Sequence, residues 1–167
     1  MKQALALVGF CAAALVLEPA ALLQAKVLVL PVPDSARELC GNGCLNPIEA
    51  VTYADHVGTK AGVSGKFLMD VQAVGESKDT IFLNSEEDYR DRNCLTIAVH
   101  KSAMDQILKS GGYTSAEEAF RGKQIVVSGT ARKLRVDFID NDRKPTGKYY
   151  YQIHVRVRDA KQIDIVS

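Results

Sequence analysis

The chain has 167 residues, with 21 basic and 20 acidic side chains, a formal charge of +1 and 47% hydrophobic content. That length suits a single domain, which buries roughly two thirds of its unfolded surface and folds without staples. A charge so near zero excludes the uniform basic field of a dedicated nucleic-acid binder.

Lys2 supplies a positive start, and Ala4 to Leu17 run apolar without a break until Glu18 and Pro19. Leu23-Gln24-Ala25 offers tolerated residues at the −3 and −1 positions of a cleavage site, so residues 1–25 read as a secretory signal peptide. A membrane anchor is the competing reading, but the apolar run of residues 4–17 is shorter than the ~20 residues that cross a bilayer. Cys11 would suit a lipoprotein signal, yet Phe10 precedes it where a small residue is needed. The expectation is an exported protein, periplasmic or extracellular, with no membrane association once the signal is removed.

Residues 26–45 read as a lead-in arm. Pro31-Val32-Pro33-Asp34 interrupts it, and residues 26–38 show no helical periodicity. Cys11 leaves with the signal, so the mature chain keeps Cys40, Cys44 and Cys94. In an oxidising compartment a pair is expected to bridge. Cys40-Gly-Asn-Gly-Cys44 is the favoured pair because two glycines let the chain turn back sharply. Cys94 is then a buried apolar residue or a spare thiol. Its pairing with Cys40 or Cys44 is the alternative that the sequence leaves open.

From residue 46 to 167 the pattern is that of one β-rich domain. Asn46-Pro47 predicts a short N-terminal helix, with Ile48, Val51 and Ala54 on one face and Gly58 as its stop. A long first strand is expected over about Val63 to Val74, with Phe67, Met69, Val71 and Ala73 inward. Thr80 to Leu83 is a second strand, and Cys94 to His100 a third with Leu95, Ile97 and Val99 inward. Lys101 to Lys109 has a helical face of Ala103, Met104, Ile107 and Leu108, ended by Gly111-Gly112, and Ser115 caps a further short turn. Strand four spans about Gln124 to Val136, and strand five runs from Lys148 to Arg158. The expected fold is mainly β: a five-stranded OB-type barrel with a helix between strands 3 and 4 and a short N-terminal helix.

Charge is unevenly placed: residues 26–120 carry 9 basic and 14 acidic residues, whereas residues 121–161 carry 11 basic and 4 acidic. A basic surface therefore belongs to the last two strands and their loop. Strand five alternates most cleanly, with Tyr149, Tyr151, Ile153, Val155 and Val157 on one face. Lys148, Tyr150, Gln152, His154, Arg156 and Arg158 lie on the other. An aromatic and several cations along one open strand can stack a base and track phosphates. Arg132, Lys133 and Arg135 of strand four, with Arg143 and Lys144 in the hairpin loop, would extend that patch, diluted by Asp137, Asp140 and Asp142. A solvated strand whose charges guard a sheet edge is the plainer reading of the same residues.

No metal site is expected. Glu86 to Asp91 lacks the ligand spacing and turn glycine of a calcium loop, and Pro145 stands where the loop at Asp140 would need one. His56, His100 and His154 have no ligand spacing. G-x-S-x-G, H-E-x-x-H and C-x-x-C are all missing, and no cofactor or enzyme activity is expected.

Short blocks recur along residues 46–166. They include His56-Val57-Gly58, Phe82-Leu83-Asn84-Ser85 with Asp88-Tyr89-Arg90-Asp91, Leu95 to Val99, Phe120-Arg121-Gly122-Lys123 leading to Gly129, Tyr151-Gln152-Ile153 and Gln162-Ile163. In these the chain resembles small exported bacterial proteins of the nucleic-acid-binding OB-fold type. The resemblance implies an OB fold and nucleic-acid binding and brings no catalytic residues. The functional expectation is a monomeric binding module that holds single-stranded nucleic acid or another anionic polymer on the strand-five face. The rival is an envelope module that grips a protein partner.

Overall fold

A computed structural model describes residues 34–41 and 43–166. The expected signal peptide and the first part of the arm lie outside the described residues. Where the arm is described it is not a loose linker. Asp34–Cys40 is a helix, α1, with Ala36 fully buried. One buried residue in seven gives no periodicity for a sequence window to detect, and docking supplies what propensity does not. Lys66 Nζ donates to the carbonyl of Leu39. The sulfurs of Cys40 and Cys44 are bonded, and Cys94 is a buried free thiol. Just beyond the bridge, Leu45 N donates to Lys66 O (2.9 Å) and Leu45 O accepts from Leu68 N (3.0 Å), which stitches the arm to the first strand.

Helix α2, Pro47–Val57, opens with a reciprocal capping box. Asn46 Oδ1 accepts from Glu49 N, and Glu49 Oε2 accepts from Asn46 N, both at 2.9 Å. It ends at Gly58, whose φ of 74° few other residues adopt. Ala50, Val51 and Ala54 face the core, and Ile48, expected on that face, is exposed.

Seven strands follow where five were expected: β1 (Val63–Asp70), β2 (Ala73–Ser77), β3 (Thr80–Asn84), β4 (Leu95–His100), β5 (Gln124–Ile139), β6 (Pro145–Val157) and β7 (Ile163–Ile165). The surplus comes from interruptions. The expected first strand breaks at Val71 and Gln72, where Val71 N donates to Lys123 O and Gln72 N to Asn84 O, both at 2.9 Å. The chain thereby leaves β5 and joins β3. At the other end, β6 pairs with β5 from Ala131 to Ile139, and β7 takes over at Ile125 to Val127 after the 3-10 turn Ala160–Gln162.

The sheet order is β1-β5-β6-β4-β3-β2, with β7 beside β5. β4 and β6 run parallel, and the other paired strands are antiparallel. Laid flat, outer strands five spacings of about 4.8 Å apart would be roughly 24 Å from each other. Yet β1 and β2 are joined by two residues, which reach no more than about 10 Å. The sheet must curl until its edges approach one another.

Two helices, α3 (Lys101–Gly111) and α4 (Ala116–Phe120), lie between β4 and β5. The inner face of the curl is filled by Phe67, Met69, Leu83, Leu95, Ile97, Val99, Ile125, Val127, Ile153 and Val155, with Met104 and Phe120 from the helices. Each inward position on β1, β4 and β6 alternates with an outward one, and the outward rows form the surface described next.

Candidate nucleic-acid interface

The cross-strand register lines up the outer face. Phe82 stands opposite Ala98, and Ala98 opposite Arg156. In the adjacent row Asn84 faces Thr96, Thr96 faces His154, and His154 faces Arg132. Further along β6, Gln152 faces Leu134 and Tyr150 faces Val136. Short side chains in the middle of each row leave hollows between longer ones. Three cavities of about 280, 390 and 240 Å³ all touch His154, so one trough crosses the sheet from β2 to β5.

The expected site residues divide. Arg132, His154, Arg156 and Arg158 line the trough. Among the described residues, ion pairs form at Lys133 with Asp55 (2.7 Å) and Arg135 with Asp137 (2.6 Å), but none forms at Arg132, Arg156 or Arg158. Arg135 was expected in the same patch. It faces Tyr151 across the strands and therefore lies on the opposite face, beside Tyr149, with its guanidinium 4.2 Å from that ring's centre. Lys148 shares the outward parity but sits out on the β5–β6 hairpin, exposed, and lines none of the three cavities.

Tyr150 is half-buried against Phe138, with ring centres 5.2 Å apart, and burial raises its phenol above the ordinary value. Packing already uses this ring, so it is less free to stack than its sequence position suggests.

His154 does not act as a cation at neutral pH. Burial, followed by the neighbouring Arg156 charge, pulls its pKa down to about 4. Its Nε2 lies 2.9 Å from Gln152 Oε1, while Gln152 Nε2 donates to Tyr89 O at 3.0 Å. The second bond sets the amide so that its oxygen faces the imidazole. The neutral ring therefore carries its hydrogen on Nε2.

The aromatic groups that do open to the trough, Phe82 and Tyr89, were not expected as site residues. Phe82 meets His154 edge-on, with centroids 6.0 Å apart. Tyr89, 48% exposed, stands at the mouth of the 280 Å³ cavity on the loop between β3 and β4. That loop is braced from within. Asp88 Oδ1 accepts from Arg90 N (2.9 Å) and Nε (3.2 Å), and Asp91 Oδ1 accepts from Asn93 N (2.7 Å). Arg90 also lies over the Tyr89 ring, 5.4 Å from its centre. Phe82 shares its two-residue parity with the polar Thr80 and Asn84, opposite to Ile81 and Leu83, and that was the available signal.

On the opposite face Tyr149 and Tyr151 are 50% and 43% exposed, although their parity with Ile153 placed them inward. The cause is the reach of the hairpin. β1 accompanies β5 only as far as Ala131, and from Arg132 onward the β5–β6 pair runs on past that flanking strand. Asp140 belongs to the tip of that hairpin, where its Oδ1 accepts from Asp142 N and Lys144 N, both at 2.9 Å.

No family model matches the chain, and no curated protein matches it. Solved structures do match, 27 chains in all. One is an aspartyl tRNA synthetase from Entamoeba histolytica, with a TM-score of 0.40 and 14% identity, covering 68% of this chain and 20% of the synthetase. The chain thus spans about a fifth of that protein's length. Another is Plasmodium falciparum SSB in complex with ssDNA, with a TM-score of 0.31 and 17% identity over 65% of this chain and 94% of that one. At these values neither likeness fixes a fold or a function.

Proposed function

We propose that the protein is an OB-type binding module that holds single-stranded nucleic acid in the trough across β2, β3, β4, β6 and β5, and that it binds without catalysis. Counted as continuous rails, the curled sheet has five: β1 with β2, β3, β4, β5, and β6 with β7. Helices between the third and fourth rails and a parallel pairing of the third with the fifth accord with that barrel. The observation that carries the functional reading is the set of guanidinium groups on Arg132, Arg156 and Arg158. They are free of ion pairs among the described residues and border a trough that also exposes Phe82 and Tyr89. Cations beside open aromatic faces are what a single strand needs, because phosphates are met by charge and bases by stacking.

The reading includes export and action as a monomer. The bridge between Cys40 and Cys44 accords with an oxidising compartment, and the Ala4–Leu17 run with a secretory leader.

Fluorescence anisotropy with a labelled single-stranded oligonucleotide, titrated over a range of salt, tests the function. The logarithm of the binding constant is expected to fall linearly with the logarithm of salt, by about 0.7 per phosphate contacted. Binding only to anionic glycans, or to no polyanion at low salt, refutes it.

A further inference from the structure

Within the trough, the 280 Å³ cavity differs from its neighbours in what lines it. Phe82 and His154 form one wall, Tyr89 closes the mouth, and Thr96 and Asn84 form the polar end. Its volume lies just under the roughly 300 Å³ at which pockets for drug-sized ligands begin, so it suits one heteroaromatic ring better than a whole nucleotide.

Asn84 gives the cavity a polar contact apart from its aromatic walls. It is only 5% exposed, and its Oδ1 accepts from Thr96 Oγ1 at 2.9 Å. The Cys94 thiol is directed at the same oxygen, 4.0 Å away. Its amide nitrogen makes no hydrogen bond among the described residues, and the side chain borders the cavity. The amide nitrogen is therefore a donor open to a ligand that brings an acceptor into the cavity. Gly75 keeps the space open. It stands opposite Phe82 in the register, and a Cβ built there would lie 3.9 Å from Phe82 Cβ, in ordinary contact, so a larger side chain would fit the backbone yet occupy the hollow.

We propose that this cavity seats one unpaired nucleobase of the bound strand. The base stacks between Tyr89 and the Phe82–His154 wall and accepts a hydrogen bond from Asn84 Nδ2 through a carbonyl or ring nitrogen. The inference rests on the single-strand reading above and adds the place where a base, rather than a phosphate, is held. The loop that carries Tyr89 is already braced by Asp88, Asp91 and Gln152, so little ordering remains to be done on binding. Arg156 is the next outward residue of β6 after His154, which puts a cation beside the stacked base for the adjoining phosphate.

The chain has no tryptophan, so Tyr89→Trp introduces a single indole at the mouth of the cavity. Titrating this variant with oligothymidylate is expected to quench the indole emission. An oligomer of equal length and charge, with abasic sites throughout, should bind roughly tenfold more weakly and leave the emission unchanged. Gly75→Ile, which fills the hollow, should remove the preference for the base-bearing oligomer while keeping the salt dependence. If both oligomers bind alike with the wild-type salt slope and neither quenches, the base seat is overturned and the phosphate-binding trough survives. If neither oligomer binds at any salt, both readings fall.

Discussion

The two faces of the β5–β6 pair are built from nearly the same residue types and differ in what their charges already hold. On the inner side of the hairpin, Lys133 and Arg135 cover Tyr151 and Tyr149 and are paired with Asp55 and Asp137. On the outer side, Arg132, Arg156 and Arg158 line hollows and have no carboxylate partner among the described residues. Composition cannot separate such faces, because each has cations and aromatic rings. What distinguishes them is charge saturation. Arg135 Nε and Nη2 both donate to Asp137 Oδ1, which occupies two of its donors and offsets the charge that would attract a phosphate.

The largest expected effect separates core from hairpin along β6 itself. Ile153→Ala removes a buried side chain beneath the trough and should cost about 2–5 kcal/mol in denaturant unfolding. Tyr151→Ala, two residues earlier on the same face, should cost less, because that ring is 43% exposed and is covered by the Lys133 side chain rather than by the core. Equal losses would show that the hairpin face is packed like the core and would erase the contrast between hairpin and core.

His154 gives a pH test of the outer face. Its folded pKa of about 4 lies below the ordinary value of 6.5. Between these values the unfolded chain binds a proton that the folded chain excludes, so stability should fall as pH drops from about 6.5 toward 4. The loss from this group should be on the order of 3 kcal/mol. His154→Gln should flatten that part of a plot of melting temperature against pH. An unchanged slope would mean that His154 is solvated.

Binding gives the direct comparison. Removing one outer cation by Arg156→Ala should lower the salt slope by about 0.7, and Arg132→Ala should do the same. Arg135→Ala should leave the slope as it was. If Arg135→Ala lowers it instead, the strand lies on the paired face and the trough is not the interface.

The smallest effect is the pair between Lys133 and Asp55. Asp55 is largely solvent-exposed, so Asp55→Asn should change stability by no more than about 1 kcal/mol and should leave oligonucleotide binding unaltered. A gain in affinity on Asp55→Asn would show that Lys133, once released, can recruit phosphates. The difference between the faces would then be one of pairing alone.

Much of the fold was legible where a local pattern is also a tertiary one. The alternation through Phe67 and Met69, the run Leu95–Ile97–Val99 and the stretch Ile153–Val155–Val157 all place buried residues, because two-residue periodicity and burial are the same fact in a half-buried strand. The α2 cap could be read from Asn46 and Pro47, since capping chemistry is confined to one turn. The break at Val71–Gln72 could not be read, because it exists to satisfy hydrogen bonds to Lys123 and Asn84, which are remote in sequence. Nor could the exposure of Tyr149 and Tyr151, which depends on where β1 stops accompanying β5.

The candidate site was legible to the same depth. Outward parity on β6 places His154, Arg156 and Arg158 on one face, and the basic bias of residues 121–161 points to the strands involved. Sequence by itself thus determined where most of the strand-forming runs lie, which residues of the central runs face inward and which parity of β6 carries its cations, since each depends on neighbours within a few positions. Only the tertiary structure decided that Arg135 turns to the other face and is neutralised, that burial keeps His154 uncharged, and that Phe82, Asn84 and Tyr89 meet around a hollow. These outcomes depend on cross-strand register and on desolvation, which are set by groups distant along the chain and brought together only when the sheet curls.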